Sequence, residues 1–421
     1  MYDYQLTTLP NGVRIATERM PGVRSAALGI WVATGSRDEK AAENGAAHFI
    51  EHMLFKGTDT CSAEELARRM DAIGGQINAF TTKELTCFHA RCLDTHLRQA
   101  LDILCNMFFD SRFAEEDVEN ERGVILEEIG MYADDPTDLV SERLYAAVFH
   151  GTPLGRPILG KKATLNKMTG AWLKEYKRTH YTADRIVVTL AGSFDDAILD
   201  AVKERFSTLE RGKKPRAVRS ITVQDSIVIK KKATEQNHLQ LGFPSLTDLD
   251  PRKYQLQLLT SILGGGMSSR LFQQVREKNG LCYSVYAFGT GHEEAGLFSI
   301  YTALNRGQEA RALGCIRNVL DDFLQSGPTQ DELELVREQT KSNVLMGLES
   351  SATRMSHLAR CMLREGRFLT PDDIISAYDA VTREEILALA REIFDFDHLS
   401  FSAVGRVAEV EEYKQLLGIR Y

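Results

Sequence analysis

Two different spacings of hydrophobic residues alternate along this chain. In some segments apolar side chains recur every three or four residues, which is the period of an amphipathic helix. One such stripe follows a capping pattern at residues 62–65 and another begins near residue 97; their apolar positions are Leu66, Met70, Ile73, Leu97, Leu101, Leu104 and Phe108. Runs rich in β-branched and aromatic residues predict strands at 186–191, 281–288 and 296–303. The mixture predicts sheets covered by helices, that is, an α+β fold (an α/β sandwich).

The pattern of the first half is repeated in the second half. The segment that begins at Ala100 resembles the one that begins at Ala312, 212 residues later, and strands ending at Gly192 and Gly405 are 213 residues apart. Two matches at nearly the same separation predict a duplicated unit of about 210 residues; the alternative is a chance similarity between amphipathic segments. The basic, proline-containing stretch 211–219 is interpreted as the linker, so we expect domains at 1–215 and 216–421.

Composition and charge exclude several classes of protein. The 421 residues are 43% hydrophobic and 26% charged, as in ordinary globular proteins, and the net charge is −8, so a nucleic-acid partner is not expected. No apolar run approaches the about 18 residues of a membrane span, and the N-terminal segment does not have the pattern of a secretory signal. Seven cysteines without CxxC spacing predict buried reduced thiols, and hence a cytoplasmic protein.

The candidate chemistry begins at a short histidine-containing segment. On a helix of 3.6 residues per turn, His48, Glu51 and His52 lie on one face, and the apolar residues between them cover most of the other. Two imidazoles at positions i and i+4 can reach the same metal ion. Burying such polar groups without partners costs several kcal/mol, roughly, and a metal ion removes that cost. The alternative is a hydrogen-bonded network inside the core.

A catalytic zinc site needs a third protein ligand and one open position. The acidic segment 114–129 offers candidates, and Val118, Ile125 and Ile129 define its buried stripe. Glu121 and Glu128 both flank that stripe, whereas Glu127 faces the opposite side and is expected to be solvated. Helix geometry does not choose between the two inward residues, and an exposed acidic helix face is the alternative.

Residues 48–58, which contain the HxxEH pattern, resemble the inverted zinc motif of the pitrilysin family, the inverzincins. That family includes insulin-degrading enzyme and the mitochondrial processing peptidase. The resemblance continues in order at 121–128, 153–160, 264–272 and 276–283, so it covers essentially the whole chain. The length is similar to that of the short two-domain members, such as the β subunit of the processing peptidase and bacterial processing proteases. Each domain is then expected to be a mostly antiparallel sheet covered by helices.

The resemblance assigns a role to each matching residue in the first half. By position it implies one Zn²⁺ ion per chain, bound by His48, His52 and Glu128, and a general base at Glu51. Glu121 matches a further glutamate that supports the catalytic site. The resemblance also places Asn78 and Ala79 in the strand beside the zinc with which the substrate peptide pairs.

The second half is expected to be metal-free. It has no HxxEH pattern, and when the two halves are aligned, Asn343 occupies the position of Glu128. The resemblance implies that Arg276 and Tyr283 bind and polarise the scissile carbonyl. Because short family members pair two chains to enclose their substrate, we expect a homodimer in which this pair faces the zinc of the other chain.

The resulting functional prediction is a zinc-dependent endopeptidase that hydrolyses peptides or unfolded segments inside a clamshell chamber, with Glu51 activating the zinc-bound water. The alternative is a non-catalytic subunit of the same family that holds peptides or acts as a scaffold. An unrelated structural metal site would need a fourth protein ligand, and no such ligand is evident in the sequence.

Overall fold

The computed structural model of this chain describes residues 3–212 and 221–419. They form two compact units, each containing a sheet and helices, and the predicted α+β class is confirmed. The first unit is built from the described residues of Met1–Ile129, Arg156–Ala217 and Leu345–Thr370; the second is built from those of Gly130–Gly155, Val218–Val344 and Pro371–Tyr421. The boundary predicted between residues 215 and 216 lies outside the described residues and stays a prediction.

The sheet of the first unit has six strands. In chain order they are β1 (Asp3–Thr8), β2 (Arg14–Arg19), β3 (Ser25–Val32), β4 (Gln76–Thr81), β5 (Thr86–Leu93) and β6 (Ile186–Gly192). Their order across the sheet is β1-β2-β6-β3-β5-β4. Every neighbouring pair is antiparallel except β2 and β6. The strand β4 therefore lies at one edge, with Asn78 opposite His89 and Ala79 opposite Phe88.

The sheet of the second unit has the same plan with five strands. They are β7 (Ile227–Lys231), β8 (Gln236–Ser245), β9 (Cys282–Gly291), β10 (Gly296–Asn305) and β11 (Ser400–Gly405), arranged as β7-β11-β8-β10-β9. Again one pair, β7 with β11, is parallel. The strand β9 occupies the edge that corresponds to β4, which agrees with the predicted duplication.

The helices follow the strands in a matching order in the two halves of the chain. They are α1 (Ala46–Met53), α2 (Ala63–Ala72), α3 (Leu97–Asp110), α4 (Glu115–Asp134), α5 (Pro136–Val148), α6 (Lys162–Leu165), α7 (Gly170–His180), α8 (Asp196–Ser207), α9 (Lys253–Gly264), α10 (Glu309–Ser326), α11 (Gln330–Gly347), α12 (Ser351–Arg360), α13 (Pro371–Ala380), α14 (Arg383–Ile393) and α15 (Val410–Leu417). The repeat detected in the sequence corresponds to α3–α4 and α10–α11. None of the described helices combines the length and the apolar character needed to cross a lipid bilayer.

One face of the first sheet carries the main core of its unit, because alternate residues of β3 such as Leu28 and Ile30 pack among the buried residues of α1, α3 and α8. The other face is covered by α12, which comes from the second half of the chain. On that face the indole Nε1 of Trp31 donates to Thr189 Oγ1 at 2.7 Å, and Arg354 of α12 forms an ion pair with the buried Glu18.

The second unit repeats this arrangement with a helix from the first half of the chain. Helix α5 lies against β8 and β11, where Val140 packs with Tyr301 and Val404. Ser141 Oγ donates to Gln240 Oε1 at 2.6 Å, and the Gln240 amide donates to Ser299 Oγ at 3.1 Å. Each sheet thus has its second face covered by a helix from the opposite half of the sequence.

Gly29 of β3 lies next to α12, and replacing it tests that contact. A Cβ at this position lies 2.5 Å from Nε1 of Trp31 and 3.0 Å from Sδ of Met355 on α12. We expect Gly29→Ala to lower the free energy of unfolding by about 1–3 kcal/mol because the surrounding side chains must move. The measurement is urea-induced unfolding followed by circular dichroism.

The matched control for that substitution is Gly314→Ala, at an exposed position of α10 where a Cβ has no neighbour within 4 Å. It is expected to leave stability unchanged or to raise it by about 0.5–1 kcal/mol. Equal unfolding midpoints for the wild-type protein and Gly29→Ala would contradict the close packing of α12 on β3.

Candidate metal centre

The short helix α1 carries three of the predicted site residues on one side and the core on the other. It begins after Gly45, whose φ of 100° is the left-handed conformation that glycine adopts without strain. Phe49 and Ile50 are fully buried in the first core, whereas His48 and His52 lie toward the side that α4 approaches. The predicted division of the helix into an apolar and a polar face is therefore observed.

A buried carboxylate holds the N-terminus of α1 in place. Glu39 Oε1 accepts a hydrogen bond from the backbone N–H of Ala47 at 2.9 Å, and Oε2 accepts from the N–H of Gly45 at 2.8 Å and from the Asn44 amide at 3.0 Å. Negative charge at a helix N-terminus is favourable, since the first N–H groups have no partner within the helix. Burial nevertheless raises the pKa of Glu39 to about 7, and these hydrogen bonds oppose the shift.

Three predicted ligands converge between α1 and α4. Glu128 Oε2 lies 3.6 Å from His48 Nε2 and 3.7 Å from His52 Nε2. Two ligand atoms that bind one tetrahedral zinc ion at 2.0–2.2 Å are about 3.3–3.6 Å apart, so these two distances are close to those of a zinc site. His48, His52 and Glu128 are the one group of metal-binding side chains found among the described residues.

The polar atoms at this position also fit a metal ion. Glu128 Oε2 is buried without a hydrogen-bond partner among the described residues, which is costly unless something else contacts it. Burial, together with the neighbouring His52, lowers the pKa of His48 to about 3. The imidazole is thus held neutral, which is the form that binds a metal ion.

Glu121 takes a different place from Glu128, although the helix geometry of the sequence left both residues open. Its carboxylate lies behind His52, with Oε2 3.0 Å from His52 Nδ1. The other oxygen, Oε1, pairs with the ammonium of Lys56 at 2.6 Å. Glu127 is exposed, as its position on the helix predicts. Glu128 therefore lies beside both histidines, and Glu121 contacts the far side of one imidazole ring.

Glu51 lies on the same helix but outside the group of three. Its Oε2 accepts a hydrogen bond of 2.5 Å from Thr81 Oγ1, at the end of β4. Burial raises the pKa of Glu51, and the hydrogen bond from Thr81 acts against that rise. The interpretation of the sequence missed Thr81, although the period-two alternation of β4 places it on the same face as Ala79.

The edge strand β4 presents the predicted substrate-binding pair. The Asn78 side chain is exposed and accepts a hydrogen bond from the backbone N–H of Ala79 at 2.8 Å. Within the part of the chain that the structure describes, β4 pairs with β5 alone, so its outer backbone groups have no strand partner. Such an edge can accept an extended peptide; this role of Asn78 and Ala79 stays a prediction.

The predicted pair of the second half lies at the surface of the second unit. Arg276 belongs to a π-helix, Phe272–Lys278. This conformation is rare in proteins overall, and where it occurs it is often at a functional site. Its guanidinium lies 4.6 Å from the ring centroid of Phe272 and 4.7 Å from that of Tyr283. Tyr283 is 72% exposed. The two residues are thus neighbours, and their role toward a substrate stays a prediction.

Comparison of the sequence with known families finds matches along most of the chain. Residues 14–162 match the family described as insulinase (peptidase family M16), and residues 167–340 match the peptidase M16 inactive domain. A Bacillus subtilis protein named as an uncharacterized zinc protease is 42% identical over 391 residues, which covers 93% of this chain and 96% of that protein. A Streptomyces coelicolor protein of the same description is 41% identical over 396 residues, with coverage of 92% and 86%.

Solved structures show the same fold at low sequence identity. The structure of a peptidase M16 inactive domain from Pseudomonas fluorescens matches with a TM-score of 0.90 and 21% identity, covering 96% of this chain and 98% of that one. A protease from Helicobacter pylori matches with a TM-score of 0.89 and 19% identity, covering 96% and 100%. Both structures have the architecture described above.

The buried carboxyl of Glu39 is expected to make stability depend on pH. Its pKa is about 7 in the folded protein against 4.5 for a free side chain, so the folded state binds more protons between these values. Stability contributed by the protonated form is therefore complete below pH 4.5 and is lost as the pH rises through 7. Between pH 5 and pH 7 this group is expected to lower the free energy of unfolding by about 2 kcal/mol.

Chemical unfolding of the wild-type protein and of Glu39→Gln at pH 5, 6 and 7 measures this effect. The variant has no group to titrate at this position, so its stability is expected to fall less with rising pH. Other buried carboxyls contribute equally to both proteins, and only the difference in slope is assigned to Glu39. Parallel slopes would mean that Glu39 is not the source of the dependence.

Proposed function

The chain belongs to peptidase family M16, and we propose that it is a zinc-dependent endopeptidase that hydrolyses peptides or unfolded segments. The observation that carries the proposal is the convergence of His48, His52 and Glu128 at distances close to those of zinc ligands, with the half-buried carboxylate of Glu51 on the same helix. The relatives named as zinc proteases support a peptidase of this family. One zinc ion per chain accounts for all three ligand side chains.

The proposed mechanism assigns each step to a side chain of this site. When bound, zinc lowers the pKa of a coordinated water to about 7 and polarises a carbonyl oxygen. Glu51 takes a proton from the water while the water oxygen forms a bond to the scissile carbon. Glu51 then delivers that proton to the leaving amine when the C–N bond breaks. Thr81 holds the Glu51 carboxylate through its 2.5 Å hydrogen bond. His48, His52 and Glu128 hold the metal.

The substrate is proposed to bind as an added strand. The free edge of β4, the strand that carries Asn78 and Ala79, offers backbone hydrogen-bonding groups that would set the register of an extended peptide. Arg276 and Tyr283 are proposed to bind and polarise the scissile carbonyl from the second unit of a partner chain. We also propose a cytoplasmic location, which the free thiols of all seven cysteines support.

The general base is tested by Glu51→Gln. This variant is expected to bind zinc like the wild-type protein but to cleave a quenched peptide of about 20 residues 10²–10⁴-fold more slowly, because no group accepts the proton of water. Glu127→Gln, which changes an exposed carboxylate next to Glu128, is the matched control and keeps full activity. Zinc content is measured by atomic spectroscopy.

Removal of zinc tests the same proposal independently. We expect a chelator to abolish cleavage by the wild-type protein and stoichiometric zinc to restore it. Undiminished turnover by Glu51→Gln would disprove the role of the base. Tight zinc binding with no cleavage of any peptide by the wild-type protein would favour a peptide-holding subunit instead.

The proposed homodimer predicts complementation between two defective variants. Glu51→Gln and Arg276→Ala are each expected to cleave poorly alone. If Arg276 acts on the zinc site of the partner chain, an equal mixture that exchanges subunits regains about a quarter of the intact sites. The measurement is peptide cleavage after mixing, with sedimentation to confirm the dimer. No regain of activity, or a fully active monomer, argues against a shared site.

A further inference from the structure

Lys56 lies near the metal centre, and the proposed mechanism assigns it no role. It follows α1, four residues after His52, in a turn where the N–H of Phe55 donates to His52 O and the N–H of Lys56 donates to Met53 O, both at 3.1 Å. This turn brings the Lys56 side chain to Glu121, the residue that also contacts His52.

Glu121 connects the two side chains. Its Oε1 lies 2.6 Å from Lys56 Nζ, and its Oε2 lies 3.0 Å from His52 Nδ1. The carboxylate therefore has one oxygen for the lysine and the other for the imidazole. The far ring nitrogen of this histidine, Nε2, is the atom that faces Glu128 Oε2. Lys56, Glu121 and His52 thus form a continuous chain of contacts that ends at the metal position.

Burial explains why the lysine matters to this chain of contacts. The Glu121 side chain is 7% exposed and that of Lys56 is 36% exposed. A buried carboxylate is costly unless a cation pairs with it. Among the described residues, the cationic side chain within ion-pair distance of Glu121, apart from His52, is that of Lys56. The lysine therefore fixes the carboxylate, since each oxygen of Glu121 is held in one place.

The two histidines differ in this respect. His48 Nδ1 has no hydrogen-bond partner among the described residues, whereas His52 Nδ1 has Glu121. Carboxylates behind metal-binding histidines orient the ring toward the metal, and removing them typically costs 10–100-fold in metal affinity. His52 is therefore the ligand whose ring orientation is set by side chains, and Lys56 stands at the start of that arrangement.

We propose that Lys56 is a positioning residue of the metal centre, which acts through Glu121 on His52 and strengthens zinc binding. The inference rests on the proposed function, because it requires His52 to be a zinc ligand. Lys56 itself is not a member of the ligand group. Its effect is transmitted by the charge and the position of its ammonium, so an arginine at this place should replace it in part and an uncharged side chain should not.

The test is the affinity of the metal-free protein for zinc, measured by competition with a chromophoric chelator. We expect Lys56→Met to raise the Kd about 10-fold and Lys56→Arg to recover part of that loss. The matched control is Lys203→Met: Lys203 is also 36% exposed and pairs with Asp200 at 3.0 Å, on helix α8. Its Kd is expected to equal that of the wild-type protein.

A double mutant separates an effect through Glu121 from a general loss of positive charge. We expect Glu121→Gln to weaken zinc binding at least as much as Lys56→Met does, and Lys56→Met/Glu121→Gln to bind no more weakly than Glu121→Gln alone. Additive losses would overturn the route through Glu121. The visible absorption of the Co²⁺-loaded proteins is expected to change in Lys56→Met and not in Lys203→Met.

The outcomes distinguish this inference from the proposed function. A wild-type protein that binds no zinc would disprove the metal centre itself. A wild-type protein that binds zinc, together with Lys56→Met at the same or a lower Kd, would overturn the role of Lys56 alone. Thermal unfolding of the metal-free variants shows whether they are folded. Lys56→Gln, which also lacks the charge, decides the question if Lys56→Met does not fold.

Discussion

The site depends on the hydrogen bonds that two buried carboxylates, Glu39 and Glu121, form with the short helix α1. With eight residues, a helix of this length has little stability in isolation, and three of its side chains are titratable groups with poor access to water. Glu39 satisfies the N–H groups at its start, and Glu121 contacts His52 near its end. The apolar residues give the helix its burial, and these two contacts set where along its axis the histidines lie.

The same constraint explains why α4 is a long helix with both buried and exposed residues. Glu121 and Glu128 are seven residues apart, which is about two turns, so both side chains lie on the same side of α4, toward α1. Glu121 reaches Nδ1 of His52, and Glu128, two turns later, reaches the position between both histidines. A shift of α4 by one residue would rotate both carboxylates away together, because they share one rigid helix.

Local periodicity was sufficient to predict the polar face of α1, the inward direction of Glu121 and Glu128 and the solvated position of Glu127. It could not tell which neighbour each inward glutamate meets, because a helical projection gives an angle around the helix's own axis only. Thr81 is 30 residues from Glu51, and their hydrogen bond depends on where β4 lies beside α1. The covering of each sheet by a helix from the other half was missed for the same reason, since α5 and α12 are ordinary amphipathic helices in sequence.

The second copy of the fold shows what these carboxylates are needed for. Between β8 and β9 it has α9 where the first copy has α1, and the buried side chains of α9 are Leu258, Leu259, Ile262 and Leu263. These buried side chains carry no charge. The carboxylate at the start of α9, Asp250, is only partly buried, and it accepts a hydrogen bond from the N–H of Arg252 at 2.8 Å. The polar residues around α1 are therefore explained by the ligands that it carries and not by the fold, which the second copy forms without them. The positions of the histidines depend on Glu39 and Glu121, and these carboxylates depend in turn on the residues that pair with them.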